Sequence, residues 1–385
     1  MKIKGYIKQK AKSVLLKIVL PILYRFHSRK EINPNKCVFA DARGAKIPFH
    51  MELMRDECIR MGNEVVEFYA DFSKCGIREL IRQISGFIKE YATCRCVFIC
   101  DYYMPVYGCK RRDGTSVVQL WHGSGLFKKF GYATEDDIPK SFTARAHTNY
   151  TLVTVSAEIS RESYARAMDV DVDIIKALGI SSTDMLFDDE YIDGQREEFF
   201  RRYPHLEGKK IITYAPSFRG SASSPDDFEL PDFDKLSRDL GEEYALLIKL
   251  HPLMYKRVGD LEALPSNCYN CGGEDIYRLL IVSSALVSDY SAIINEASLL
   301  GRAVLFYAPD LDEYQSKRGF FINYREDLPG SICATTEELS AHLRDLDRYD
   351  YENLAAFASK FMGACDGNST RRIYEDAMGK DLDSK

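Results

Sequence analysis

The chain of 385 residues has no GxxxxGK[ST] motif, no GxGxxG after a strand-like run, no internal repeat and no low-complexity tract. The first absence excludes a P-loop enzyme and the second removes the dinucleotide fingerprint. The last two argue against a solenoid or a disordered chain. No apolar run reaches the ~20 residues that span a bilayer; the stretch SVLLKIVLPILYRF, residues 13–26, is broken by Lys17 and Pro21. No small-residue cleavage site comes after it, so a secretory signal fits poorly. The cysteines are eleven, an odd and scattered set, which argues for reduced thiols in a cytosolic compartment. Cys94-Arg-Cys96 and Cys268-Tyr-Asn-Cys271 lack the further pair that a four-ligand zinc site needs. Asp169-Val170-Asp171 has the form of a metal-binding DxD, but DVDVD alternates at strand period, the mark of one solvated face. No metal and no cofactor are expected.

Acidic residues are missing from positions 1–30, which carry Lys2, Lys4, Lys8, Lys10, Lys12, Lys17, Arg25, Arg29 and Lys30. The whole chain has a net charge of −6, so the remainder without this basic head stands at −15. A basic head on an acidic body points to an anionic surface for the head alone and against general nucleic-acid binding. Lysines flanking an apolar stripe suit a helix lying in the lipid headgroup layer. Residues 1–32 are therefore expected to be a basic amphipathic, membrane-associating segment. The plainer alternative is a helix packed on the body or on a partner chain.

Beyond this head, strand-like and helical runs alternate. Strands are predicted at 36–42, 64–70, 96–103, 116–121, 150–156 and 172–178, with helices at 47–62, 77–92 and 157–168. Continuous apolar strands separated by helical runs indicate a parallel sheet covered on both faces. A polar, acidic stretch at 181–204 is expected to join two domains. A second set of strands then runs through 210–216, 244–252, 284–290 and 303–309, with helices at 232–240 and 275–283. The expected fold is α/β, with two Rossmann-like domains facing across a cleft. They cover 33–190 and 205–340, and the helices of 341–385 pack back across.

Open α/β sheets bind ligands outside the carboxyl ends of their strands, and that rule sorts the polar residues. VVQLW ends in His122-Gly123, with Lys128 and Lys129 beyond; KIITYAP ends in Ser217-Phe218-Arg219; YALLIKL ends in His251; SALV ends in Ser288-Asp289-Tyr290-Ser291. A solvated loop explains each of these on its own. The last is the most informative, because a helix predicted at 291–300 comes directly after the turn. A helix amino terminus suits a phosphate. Glu296, one turn on, places a carboxylate where it is able to accept hydrogen bonds from ribose hydroxyls; a plain capping pattern fits the same residues.

QLWHGSGLFKKFG, YAPSFRG, IKLHP, SDYSAIINEASLLGRAVLFYAPDLDEYQSKRGFF and DGNSTRRI together resemble, in order, the motifs of the CDP-glycerol glycerophosphotransferase family, the polyol-phosphate transferases of teichoic acid and capsule synthesis. The resemblance covers roughly residues 115–375. It implies a GT-B fold and transfer of glycerol phosphate or ribitol phosphate from CDP-glycerol or CDP-ribitol. The acceptor would be a hydroxyl of a lipid-linked glycan or polyol-phosphate chain at the cytoplasmic face of the membrane, and CMP would leave. Carried over residue by residue, His122 is the general base and His251 a contact to the donor phosphate. Ser217 and Arg219 lie in a phosphate-binding loop, and Ser288, Asp289 and Ser291 form the diphosphate cradle. Glu296 lies at the ribose. Arg318 and Gly319 match a late RG on the donor side, while Gly123, Lys128 and Lys129 face an anionic acceptor.

Two features depart from the family pattern. Ala292 stands where a second Ser or Thr is usual, and DARGAKIPFHMELM fits the family's beginning poorly, which leaves the acceptor undefined. The lack of a long N-terminal extension leads to the expectation of a single-addition or capsule enzyme. The alternatives are a GT-B nucleotide-sugar glycosyltransferase or UDP-sugar 2-epimerase-like enzyme, and a non-catalytic membrane adaptor.

Overall fold

The computed structural model describes residues 13–134, 146–221, 224–225, 229–251, 254 and 264–379. It divides into two compact units: one is formed by residues 1–123, 130–184 and 364–385, the other by 124–129 and 185–363.

The first unit is built on six parallel strands: β1 (Asn33–Asp41), β2 (Glu64–Tyr69), β3 (Cys94–Ile99), β4 (Ser116–Gln119), β5 (Leu152–Thr154) and β6 (Ile175–Lys176). Their order is β2-β1-β3-β4-β5-β6, so the winding reverses between β1 and β3. The helix Phe49–Arg60 buries Met51, Met54 and Cys58 against Phe39 and Phe98 of the sheet, and Ile373 and Tyr374 of the helix Ser369–Met378 join the same core.

The second unit contains β7 (Lys210–Tyr214), a short antiparallel pair β8 (Gly220–Ser221) and β9 (Ser224–Pro225), then β10 (Tyr244–Ile248), β11 (Cys268–Asn270), β12 (Ala285–Ser288), β13 (Ala303–Tyr307) and β14 (Ile332–Cys333). Apart from the pair, they form one parallel sheet ordered β11-β10-β7-β12-β13-β14. This is the doubly wound Rossmann order, with its switch point between β7 and β12. Two parallel α/β sheets were the expectation, and they are present.

Several local expectations need correction. The polar stretch taken as a linker holds a 14-residue helix, Asp189–Arg202, capped by the Asp188 side chain. Its polarity is the solvated face of a helix carrying Arg196–Asp193 and Arg201–Glu198 pairs three residues apart. The helix after β12 spans only Ile294–Leu299. Its start is delayed because Ala292 O accepts from both Asn295 N at 3.0 Å and Asn295 Nδ2 at 2.9 Å, which tightens the preceding residues into a turn. Asp169 is not on a strand: it ends the helix Arg161–Met168 in the left-handed conformation (φ 53°), and Asp171 caps the next short turn. Among the described residues no cluster suited to a metal ion occurs.

The start of the described chain is helical. Leu15–Val19 is a π-helical turn leading into the α-helix Leu20–His27. Pro21 explains the widening, since it donates no N–H and its ring crowds the carbonyl four residues back. Leu16, Leu20 and Tyr24 form the buried face, and Tyr24 packs its ring 4.9 Å from that of Tyr91. Val14, Ile18, Ile22 and Phe26 form a second stripe that is exposed. Among the described residues no helix is long and apolar enough to cross a membrane. The first twelve residues of the basic head lie outside the described residues.

Candidate active site

In the first unit, polar side chains gather where β1 and β3 diverge. β1 ends in Asp41, whose Oδ2 accepts from the backbone N–H of Arg43 at 2.7 Å and of Gly44 at 3.1 Å. That turn aims Arg43 at Asp101, just past the end of β3, and the two form an ion pair. β4 ends one strand over, and its continuation carries His122. Gln119 is buried and accepts from the Trp121 N–H at 2.9 Å, holding Trp121 at φ 60°. The Trp121 indole stacks on the His122 ring at 4.4 Å. His122 Nε2 lies 3.8 Å from Asp101 Oδ1, while the ring edge stays open to solvent. Desolvation pulls the His122 pKa below the usual imidazole value; Asp101 pulls it up, and Arg43 pushes it further down. The imidazole is therefore neutral at pH 7, the state a proton acceptor needs. Gly123 contributes its carbonyl, which accepts from Tyr164 OH at 3.3 Å.

Sequence reasoning missed several neighbours. Asp101 obeys the same strand-end rule and is legible in CVFICDYY. His50 Nδ1 pairs with Ser182 Oγ at 3.2 Å, and burial, with the His122 charge adding to it, pushes His50 down to about 4. His147, in a left-handed backbone at φ 67°, is buried beside Tyr102 with ring centroids 4.7 Å apart. Neither histidine belongs to a local motif, so only the fold reveals them.

In the second unit, the ends of β7 and β12 meet at the switch point. Asp289 Oδ1 accepts from Ser217 N at 2.7 Å and Ser217 Oγ at 2.8 Å, and its Oδ2 accepts from Arg219 at 2.8 Å. Arg219 is buried; its Nε and second amino group bind Asp310 at 2.7 and 3.1 Å. The guanidinium lies 4.4 Å from the centroid of Tyr290, which stacks on Tyr314 at 3.8 Å. Ser217, Arg219 and Asp289 are thus joined, but as a clamp tying three loops together, with their polar groups turned on one another. The Ser288 hydroxyl is likewise spent, donating to Ala215 O at 2.7 Å. Ser291 is half-buried at the mouth of the turn, and among the described residues its hydroxyl oxygen accepts from Ile293 N alone, at 3.4 Å. His251 comes after β10, the neighbour of β7. It is exposed, its ring lies 5.4 Å from that of Phe218, and desolvation followed by the charge of Lys249 lowers its pKa.

Glu296 is closed off from the ribose contact that the motif suggested, and the two lysines lie on a segment of the second unit. Glu296 is buried: Oε1 accepts from Ser124 Oγ at 2.6 Å and Tyr277 OH at 3.2 Å, and Oε2 is enclosed. Neither oxygen is open to a ribose, because the loop after His122 covers it. That loop, 124–129, belongs to the second unit, and Lys128 and Lys129 with it. Lys128 forms an antiparallel bridge with Phe320, and Lys129 N donates to Gly319 O at 3.3 Å. Gly319 turns there at φ 73°, next to Arg318.

Residues 22–378 match the family described as CDP-glycerol:poly(glycerophosphate) glycerophosphotransferase. The chain belongs to this family. A teichoic acid poly(ribitol-phosphate) polymerase of Bacillus spizizenii is 32% identical over 354 residues, which take in 90% of this chain and 56% of the relative. A teichoic acid ribitol-phosphate primase of the same organism is 33% identical over 302 residues, 75% of this chain and 76% of that protein. The chain thus spans little more than half the length of the polymerase and about three quarters of the primase. Among solved structures, the wall teichoic acid polymerase TagF superposes with a TM-score of 0.75 at 22% identity, covering 97% of this chain and 98% of that one. This glycerophosphotransferase-family chain therefore shares its two-sheet α/β fold.

Proposed function

We propose that the protein transfers a polyol phosphate from a CDP-activated donor to a hydroxyl of a teichoic acid or related acceptor. An oxygen of the acceptor bonds to the β-phosphorus of the donor, the bridging P–O bond breaks, and CMP leaves with the bridging oxygen. His122 takes the proton of the attacking hydroxyl. His251, at the end of β10, offsets charge that develops on the phosphate, and Ser291 offers a hydroxyl and a turn N–H. With no covalent intermediate required, the barrier falls through positioning and charge stabilisation. The observation that carries this reading is a neutral, solvent-open His122 stacked on Trp121 beside Asp101, in a chain of this family.

Both relatives named above are ribitol-phosphate enzymes, which makes CDP-ribitol the first donor to test and CDP-glycerol the second. Mass spectrometry of products formed from each donor with a short-chain lipid-linked disaccharide, with and without a terminal glycerol phosphate, tests the reading. Acceptors heavier by one or more polyol phosphates, with CMP released, are expected. Donor turnover without acceptor extension, or turnover of UDP-GlcNAc instead, would overturn it.

A lipid-linked acceptor would be met at the inner membrane face. The exposed stripe Val14, Ile18, Ile22 and Phe26, flanked by the exposed Lys17, Arg25 and Arg29, supports docking on anionic lipid.

A further inference from the structure

We propose that the segment Ser124–Lys129 is part of the donor half of the site and that Lys128 is the cation that takes up the diphosphate charge of a CDP-activated donor. The inference rests on the reading above that such a donor is bound. It reassigns a residue that the motif alone would give to the acceptor.

The segment is fastened to the second unit at both ends. At its start, Ser124 Oγ donates to Glu296 at 2.6 Å and Ser124 O accepts from Asn295 Nδ2 at 3.0 Å. Gly125 is next, at φ 69°, and a Cβ there would collide with the Asn295 carboxamide, so the strap lies tight on that helix. At its far end, Phe321 N donates to Phe127 O at 2.8 Å, Lys128 bridges Phe320, and the Phe127 ring lies 5.6 Å from that of Phe320. These ties place the Lys128 ammonium 5.6 Å from the centroid of Tyr314, whose ring stacks on Tyr290 of the β12 turn. Lys128 is thereby held at the β7/β12 switch point, where an open sheet of this winding takes its ligand.

The acids there are already engaged. Among the described residues, Asp289, Arg219 and Arg318 act on the Lys128 charge. Asp289 and Asp310 are both bound to Arg219, while Lys128 reaches no carboxylate within ion-pair distance among the described residues. With both nearby acids bound to Arg219, the Lys128 ammonium is the group placed to meet an arriving anion. Burial, followed by the charges of Arg219 and Arg318 against that of Asp289, brings Lys128 down to about 8. A half-buried ammonium short of a counter-ion is stabilised by an arriving anion.

Donor affinity should then depend on pH. The diphosphate diester of a CDP-polyol does not titrate between pH 7 and 10, so its affinity should fall as Lys128 loses its proton. Calorimetric titration with CDP-ribitol and CDP-glycerol would compare the wild-type chain, Lys128→Met and Lys128→Arg. The wild type should bind about tenfold more weakly at pH 9.5 than at pH 7. Lys128→Met should lose at least about tenfold at pH 7, and Lys128→Arg, whose guanidinium stays charged, should bind with a flat profile. Equal affinity of Lys128→Met and wild type, or a fall in Lys128→Arg matching the wild type, would overturn the assignment while leaving the donor reading intact. Failure of the wild type to bind either donor would overturn both. Should Lys128→Met not fold, the profile of Lys128→Arg still decides.

Discussion

Ser124 donates its hydroxyl to Glu296 Oε1 at 2.6 Å across 172 positions of sequence. Ser124 stands two residues after His122, so this bond anchors the chain that leaves the proposed base. Tyr277 OH is the second donor to the same oxygen, at 3.2 Å. Desolvation raises the Glu296 pKa above its ordinary 4.5, with the Ser124 and Tyr277 bonds opposing. A raised acid binds its proton more tightly in the folded chain. Its stabilising contribution is therefore present below pH 4.5 and is lost as pH rises through the folded value. Glu296→Gln, always neutral, should retain stability across that window where the wild type declines. Urea denaturation from pH 4.5 to 7 reads the difference, and parallel curves would disprove it. Ser124→Ala should cost only about 0.5–1.5 kcal/mol, the net worth of one hydrogen bond, because Tyr277 OH still meets the same oxygen.

The pH–rate profile should expose the groups around His122. Alanine at 122 is expected to lower kcat by ~10²-fold or more. A base gains activity as pH rises through its pKa. Asp101 raises that pKa and Arg43 lowers it. Asp101→Asn should therefore move the acid limb of kcat/KM to lower pH, and Arg43→Gln should move it higher. Shifts of one sign in both variants would mean that neither acts through the His122 proton.

Much of this was legible in the sequence, for a definite reason. Strands buried on both faces are written as unbroken apolar runs, so the runs around β1, β3, β7 and β12 announce themselves, and the residues that close them are polar by contrast. The strand order was not legible, because nothing in VVQLW or SALV names its neighbour. The polar helix Asp189–Arg202 hid because only Phe199 of its side chains is fully buried. The strap 124–129 was misplaced because its ties to Glu296, Phe320 and Gly319 are all distant in sequence. Glu296 looked available for a ribose because a motif carries no record of what covers it.

The two faces of the first described helix should separate membrane binding from folding. Ile22→Ser and Phe26→Ser remove exposed side chains and should leave thermal melting unchanged while abolishing flotation with anionic liposomes. Leu20→Ala lies on the buried face and should cost about 2–5 kcal/mol. Undiminished flotation of the double serine variant would remove the stripe from consideration.

Arg219 was expected to meet the donor's phosphates, but its geometry makes it a clamp. Its guanidinium is buried and holds Asp289 at 2.8 Å and Asp310 at 2.7 Å. Asp289 in turn positions Ser217 and the β12 turn. Breaking a buried pair by removing one partner costs about 3–5 kcal/mol, and Arg219→Met also leaves two carboxylates opposed. Lysine cannot span both acids, since it lacks the planar fork, so Arg219→Lys should recover only part of the loss. Burial works to raise the Asp310 carboxyl, but its bonds to Arg219 outweigh that and hold it below its ordinary 3.8. A depressed carboxylate stabilises the fold above the unfolded value, and that contribution disappears as pH falls through the folded one. The wild type should accordingly weaken on acidification below pH 3.8, whereas this component should be absent from Arg219→Met, whose acid-side curve is flatter. Melting temperatures from pH 2 to 7 check the slope. A variant as stable as wild type at pH 7 with only its donor affinity reduced would instead make Arg219 a direct phosphate ligand.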